Sequence, residues 1–482
     1  MKRIVSGRTA LAAALAATAL AGCASTPAAT PPSPPSAALG GFVGAAGAGA
    51  SADAPPPAWW RLFDDPALDA HVARALAANV DLKVAIANLE AARAAARQAD
   101  AARLPATVIE SGAGPDRADR QPSTSSIPKT SYELGATIAY EVDLFGRLKS
   151  AAQATALDAD ASRAALDAAR VTVVGDTVAA YLDLCGAAAN RRLAQAQLDM
   201  QQRSYDLVAE QLKSGEVSPL ELAQAALLRD RVAATLAPFE ADGRRAALRL
   251  ALLQGKAPAE AEASPSACDA PPRIATPLPV GDGAALIARR PDIREADHRL
   301  AAAAARVGVA KADFYPRIQL AGSAGLIGGG FDAVLTPLIT WAFPNQQAAR
   351  ARLAGARSGA DVALANWERV MLRALSEVET ALADFQAEDR RRAELTTALS
   401  QADVVVRRAQ ARQRLGADNY LLVVDAERTR NDVASQLLLS QLRIAQVQVA
   451  LFRALGGGWE PSSADPPPNR DLARAAGLNS AR

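Results

Sequence analysis

The sequence predicts a mainly α fold with transmembrane β-strands. Long antiparallel coiled-coil helices form an α-barrel joined to a shared β-barrel, and the chain is built from two internal repeats. Three patterns carry this. Two stretches, Gly146–Lys213 and Asn345–Leu415, keep coiled-coil spacing for about 100 Å at helical rise. Short segments ahead of each alternate apolar with small or polar residues, the strand period. Placing Gly215 on Gly416 brings Leu220 onto Leu421 and Ala225 onto Ala426, with Leu253-Gln254 one residue out of register from Leu455-Gly456, the mark of a duplication. Composition agrees: of 482 residues 50% are hydrophobic but only 4% aromatic, and the alanine excess suits long, closely packed helices. A net charge of +2 supplies no field for nucleic acid.

The chain opens as an export signal (1–22), with Lys2, Arg3 and Arg8 ahead of an apolar core from Ala10 to Leu20. Leu20-Ala21-Gly22-Cys23 resembles the lipobox of bacterial lipoproteins. That likeness implies cleavage before Cys23, a covalent lipid on it, and sorting to the outer membrane because Ala24 is not Asp. A plain secretory signal with a chance cysteine is the other reading. Loss of the three basic residues takes the net charge from +2 to about −1. Residues 23–58 read as the lipid anchor and a Pro/Ala/Gly-rich extended tether. Beyond the signal no uninterrupted apolar run reaches ~18 residues, so any crossing of a membrane falls to strands.

The first repeat spans 59–256. Trp59-Trp60-Arg61-Leu62-Phe63 leads to Pro66 at a first helical position, and one helix is expected from Ala67 to Arg103. A weak strand at Thr107–Ser111 precedes a Pro/Ser/Asp-rich loop. In the clearer second strand Tyr132, Leu134, Ala136, Ile138, Tyr140, Val142 and Leu144 alternate with Glu133, Gly135, Thr137, Ala139, Glu141 and Asp143. Such a strand fits a lipid-facing barrel or a half-solvated soluble sheet. In the long helix Val171, Val174, Val178, Tyr181 and Cys185 form a 3–4 seam; Ser214-Gly215-Glu216-Val217-Ser218-Pro219 is a tight turn, and a return helix runs from Leu220 to Gln254.

Residues 257–282 read as a linker and 283–458 as the second repeat, on the same plan. Arg289-Arg290-Pro291-Asp292 opens its first helix, Pro316 ends it, and strands follow at about 317–326 and 331–343. Met371, Leu375, Val378, Leu382 and Phe385 carry the seam of the long helix, and Leu415-Gly416-Ala417-Asp418-Asn419-Tyr420 is its turn. The tail, 459–482, is polar.

Four strands per chain cannot close a barrel, and an open edge is not tolerated in lipid, so several copies must share one; three would give twelve strands. A barrel continuous with a hollow helical tube is a duct. Several stretches carry a specific resemblance: Trp59-Trp60-Arg61-Leu62-Phe63-Asp64-Asp65-Pro66-Ala67-Leu68, Tyr140-Glu141-Val142-Asp143-Leu144-Phe145-Gly146-Arg147, residues 289–325, Gly416-Ala417-Asp418-Asn419-Tyr420-Leu421 and Ala454-Leu455-Gly456-Gly457-Gly458-Trp459. Over residues 59–458 plus the lipobox the chain resembles the TolC-like outer-membrane efflux channels of the lipoprotein, OprM/NodT type. The resemblance implies a homotrimer with a 12-stranded β-barrel in outer-membrane lipid and a periplasmic α-barrel. It also implies a periplasmic adaptor (membrane fusion) protein and an inner-membrane RND-type transporter as partners in drug or metal efflux. Two departures stand out: Phe343-Pro344-Asn345-Gln346-Gln347 replaces the family's Phe-Asp-Gly-Gly-Arg, and Arg412-Gln413 its Arg-Tyr.

Asp418 at the second tip is expected to form a carboxylate ring at a periplasmic gate, with Arg412 as partner; capping of the following helix is the plainer role. Glu141 and Asp143 are expected to line the pore, or else to sit where barrel meets helices. Gly215, Val217, Ser218, Gly416 and Ala417 are small tip residues that suit adaptor docking or merely turn geometry. Cys185 and Cys268 could pair in an oxidising compartment; separate thiols, one buried on a seam and one exposed in a linker, are the favoured reading. His71 and His298 lack companion ligands, so no metal is expected, and no cofactor beyond the lipid. No nucleophile–base set, P-loop or dinucleotide motif is present, so the expected protein is not an enzyme. Two alternatives remain: a non-channel periplasmic coiled-coil tether lipoprotein, and a type I protein-secretion duct.

Overall fold

The computed structural model describes residues 34, 36–115, 130–261, 268, 271–274, 277–327, 330–417 and 420–459. The signal segment, Cys23, Asp418 and the tail beyond Trp459 lie outside them. The chain divides into two compact units.

One unit, drawn from residues 86–165 and 292–370, holds a four-stranded antiparallel sheet. Its strands are β1 (Ala106–Pro115), β2 (Thr130–Val142), β3 (Arg317–Ile327) and β4 (Gly330–Thr340), in chain order across the sheet. Ile138 faces Thr107 on one side and Gly322 on the other, and Gly322 faces Leu335. That register puts Ile109, Leu134, Ile138, Tyr140, Ile318, Leu320, Leu335 and Ile339 on one face, and Glu110, Thr137, Glu141, Gln319, Ser323 and Thr336 on the other, together with Val108, Val334 and Leu338. Ile109, Leu335 and Ile339 are each more than 60% exposed within the chain, so this apolar face has no protein cover of its own. Among the described residues the outer edges of β1 and β4 pair with no strand.

The two strand-to-helix corners differ, as the replaced motif suggests. After β2, Arg147 donates to both oxygens of Glu141 at 2.8 and 2.6 Å, and Asp143 accepts from the Lys149 amide at 2.7 Å. Phe145 stacks on Tyr315, their centroids 4.5 Å apart. After β4, Gln347 stands where the motif has arginine; Asn345 caps its amide at 3.2 Å, and Trp341 stacks on Phe343 while donating to the Phe314 carbonyl.

The other unit, drawn from residues 34–85, 166–291 and 371 onward, is a helical body. Its elements include α1 (Pro66–Ala78), the start of α2 (Val80–Ala101), most of α3 (Arg147–Lys213), α4 (Pro219–Ala233) and α5 (Leu236–Leu253). Then come α6 (Gly283–Arg289), with α7 (Pro291–Ala312) starting at its boundary, most of α8 (Gln347–Arg414), and α9 (Tyr420–Ala454). The seam of α3 is buried as its spacing predicts, with Val174, Val178, Tyr181 and Cys185 wholly enclosed. Gly186 lets α9 approach: a Cβ there would lie 2.6 Å from Leu442 Cδ2. Trp59 stacks on Phe452 with centroids 5.1 Å apart, and Tyr181 donates to Asp65 at 2.7 Å. Arg290, buried, donates to the Ala454 carbonyl and to Glu377.

Several expectations are corrected. The helix expected at 67–103 is two, because Asn79 turns extended; its side chain caps the Leu82 amide and donates to the Leu253 carbonyl. The return helix expected at 220–254 breaks at Ala234–Thr235. Pro238 has no amide hydrogen and its ring would meet the carbonyl four residues back, so it fits only in a first turn. The tether is not loose throughout. Val43 and Gly44 amides donate to Glu379 at 2.7 and 3.0 Å, Phe42 is buried, and Ser51 bridges to Pro279. The linker packs as well: Ile274 exchanges two hydrogen bonds with the buried amide of Gln448, and Leu278 and Val280 are enclosed. Cys185 and Cys268 are joined as a disulfide, with Cα atoms 5.4 Å apart, where separate thiols were the favoured reading. Cys268 is buried, not exposed, because Arg192 draws its carbonyl onto α3 at 2.6 Å. One window of α3 is long and apolar enough to pass as a membrane span by composition. It is 72% buried within the protein, as a core helix is.

Candidate functional site at the helical tips

The two helical turns are copies of one motif. At the first, the Gly215 amide donates to Leu212 O at 3.0 Å and Glu216 to Gln211 O at 2.9 Å; at the second, Gly416 donates to Gln413 O and Ala417 to Arg412 O, both at 3.0 Å. Gly215 and Gly416 take φ of +77° and +69°, the left-handed cap that glycine adopts without penalty. Ser218 opens α4 with Pro219 behind it, and its amide donates to Glu221 at 2.6 Å.

Gly215, Ser218, Gly416, Ala417 and Arg412 are exposed and Val217 is half-buried. Asp418, the expected gate carboxylate, lies outside the described residues. Glu141 and Asp143 sit far along the chain from the tips, at the first strand-to-helix corner, engaged with Arg147 and the Lys149 amide.

Two features of the tips escaped sequence reasoning. Leu220, Leu415, Leu421 and Leu422 are exposed around the turns, Leu415 by 83%; apolar residues beside a turn glycine were the available signal. Above them the two hairpins meet in a small core of Val208 and Ala225 from one and Ala409, Tyr420, Val423 and Ala426 from the other. Burial pushes the Tyr420 phenol above its usual pKa, and the nearby Glu427 carboxylate adds to the rise. Glu427 is itself buried.

The "outer membrane efflux protein" family model matches residues 72–256 and 284–457, one segment per repeat. The outer membrane protein OprJ of Pseudomonas aeruginosa is 33% identical over 416 residues, 83% of this chain and 86% of that protein. The pyoverdine export outer membrane protein OpmQ of Pseudomonas putida is 32% identical over 428 residues, 85% and 90% of the two chains. The solved structure of the outer-membrane channel OprN superposes with a TM-score of 0.81 at 32% identity, covering 90% of this chain and all of that one. The chain therefore has the TolC-like channel fold, and it belongs to the outer membrane efflux protein family.

Proposed function

We propose that the protein is the outer-membrane duct of a tripartite efflux pump, passing small molecules such as drugs or metal ions from periplasm to exterior without chemistry of its own. The observation that carries this is the four-stranded sheet, with one exposed apolar face and two edges open among the described residues. Three copies, each lending four strands, satisfy those edges in a twelve-stranded barrel whose apolar face meets lipid. A lipid on Cys23 holds the chain to the same membrane. The periplasmic adaptor docks at the tips, where Gly215, Val217, Ser218, Gly416 and Ala417 allow close approach and the exposed leucines supply apolar contact. An RND-type inner-membrane transporter supplies the energy. Asp418 and Arg412 form the periplasmic gate, and Glu141 and Asp143 bias the pore toward cations near the barrel mouth.

Conductance in planar bilayers, with the mass of the detergent-purified protein read by native mass spectrometry, tests the reading. A trimer with small cation-selective openings that grow severalfold in Asp418→Ala is expected. A monomer or dimer that never conducts would favour the tether lipoprotein, and a conducting trimer indifferent to Asp418→Ala would move the gate away from that ring.

A further inference from the structure

Where the return helix of the first hairpin breaks between α4 and α5, a cavity of about 170 Å³ opens. Its walls come from α3, the end of α4, the start of α5 and α9, all within the helical unit. Leu193, Leu228, Val232 and Phe239 supply the apolar wall. Asn431 of α9 is the exception. It is 8% exposed, and neither its amide oxygen nor its amide nitrogen has a hydrogen-bond partner among the described residues. The other two amides of the wall are engaged: Asn190 donates to the Gly186 carbonyl at 2.9 Å, and Gln197 to the Asn431 backbone carbonyl at 3.4 Å. Asn431 thus presents an acceptor and a donor side by side, buried where an unmade hydrogen bond is destabilising. Two exposed charges line the same cavity, Arg231 from α4 and Asp432 from α9. Among the described residues neither forms an ion pair, whereas Arg428 beside them is held by Asp425 at 3.2 Å.

We propose that this cavity is a binding site for small zwitterionic amides of the dipeptide type. The ligand's amide N–H donates to the Asn431 side-chain oxygen, and its carbonyl accepts from the Asn431 side-chain nitrogen. Its carboxylate lies at Arg231, its ammonium at Asp432, and one apolar side chain rests on Val232 and Phe239. The volume is close to the ~150 Å³ that admits a benzene ring, so it holds an amide and part of a leucine-sized side chain while the charged ends stay in water. Apolar walls with a few placed polar groups are the general form of a small-molecule site. The amide is the discriminating group, because a ligand without one leaves Asn431 buried and unpaired. The two charges act in solvent and contribute less. The site is independent of the duct reading, since one chain supplies every wall.

The test titrates the full chain, held in lipid nanodiscs, with the dipeptide L-alanyl-L-leucine. Saturation-transfer NMR reads the Kd, and the melting temperature, which a ligand of the folded state raises, is the second readout. Saturable binding is expected. Free L-leucine keeps both charges and the side chain but lacks the amide, so it should bind about tenfold more weakly. N-acetyl-L-leucine keeps the amide but lacks the ammonium, so its loss should be only about threefold. Asn431→Leu should erase the preference for alanyl-leucine over leucine, and Asp432→Asn the preference over N-acetyl-leucine. Because Asn431→Leu removes a buried unpaired amide, it should melt no lower than wild type. Val232→Phe, which narrows the cavity with Asn431 still in place, should abolish binding. Two results overturn the site. One is the absence of saturable binding, which would leave Asn431 to ordered water. The other is binding that Asn431→Leu and Val232→Phe both leave unchanged, which would put the ligand elsewhere on the protein.

Discussion

Replacing Cys268 by Ser, or reducing its bond to Cys185, should lower the free energy of unfolding by about 4–5 kcal/mol. That is the chain-entropy value for a loop of this size, since 83 residues separate the two cysteines. The bond clamps the linker between the repeats onto the middle of α3, at a seam position that is wholly buried. Beside it Arg192 holds the Cys268 carbonyl, so the reduced linker retains one polar contact with α3. Urea unfolding with and without reductant measures the loss. The double variant Cys185→Ser/Cys268→Ser should match the reduced wild type, and no further loss should follow when reductant is added to it. A midpoint unchanged by reduction would mean that the bond restrains nothing that the packing of Ile274, Leu278 and Val280 does not already hold.

Trp59→Ala should cost about 3–5 kcal/mol, the range for truncating a fully buried aromatic ring. Trp59 has no exposed surface, lies flat on Phe452 of α9, and meets Trp60 and Phe63 edge-on at 6.3 and 6.5 Å. Gly458 backs onto it as well: a Cβ there would sit 3.3 Å from the indole nitrogen. The beginning of the first repeat is thereby packed against the end of the second. Truncation should expose the last turns of α9, so hydrogen exchange at Leu451–Leu455 should accelerate together with global unfolding. Trp59→Phe, which keeps the stacking on Phe452, should recover more than half of the loss. Exchange that quickens only near residue 59 would show that the two ends do not unfold together.

Much of this protein is written in periodicities. The 3–4 spacing of Val171 to Cys185 gave a buried seam, and the alternation from Leu134 to Val142 gave the apolar and polar faces that the register of the sheet displays. The offset between Gly215 and Gly416 gave two turns with matching hydrogen bonds, because a left-handed glycine cap is determined by the few residues around it. Local signals also reached the helix ends: Pro66, Pro219 and Pro291 each open a helix, and Pro238, overlooked within an otherwise helical run, breaks one.

Only the tertiary structure decided what depends on residues distant in sequence. Asn79 interrupts a helix because the Leu253 carbonyl waits 174 residues away, and Glu379 fastens Val43 and Gly44 across more than 330 residues. The disulfide overturns the favoured reading of separate thiols, because the linker lies on α3. The carboxylate of Glu427 looked like any charge on a helix until Gln201 and Gln410 were found at its two oxygens. Periodicity reports which face of an element is buried, but not which partner covers it; pairing of polar groups across the fold is set by the packing of whole elements, and one sequence read alone carries no measure of that.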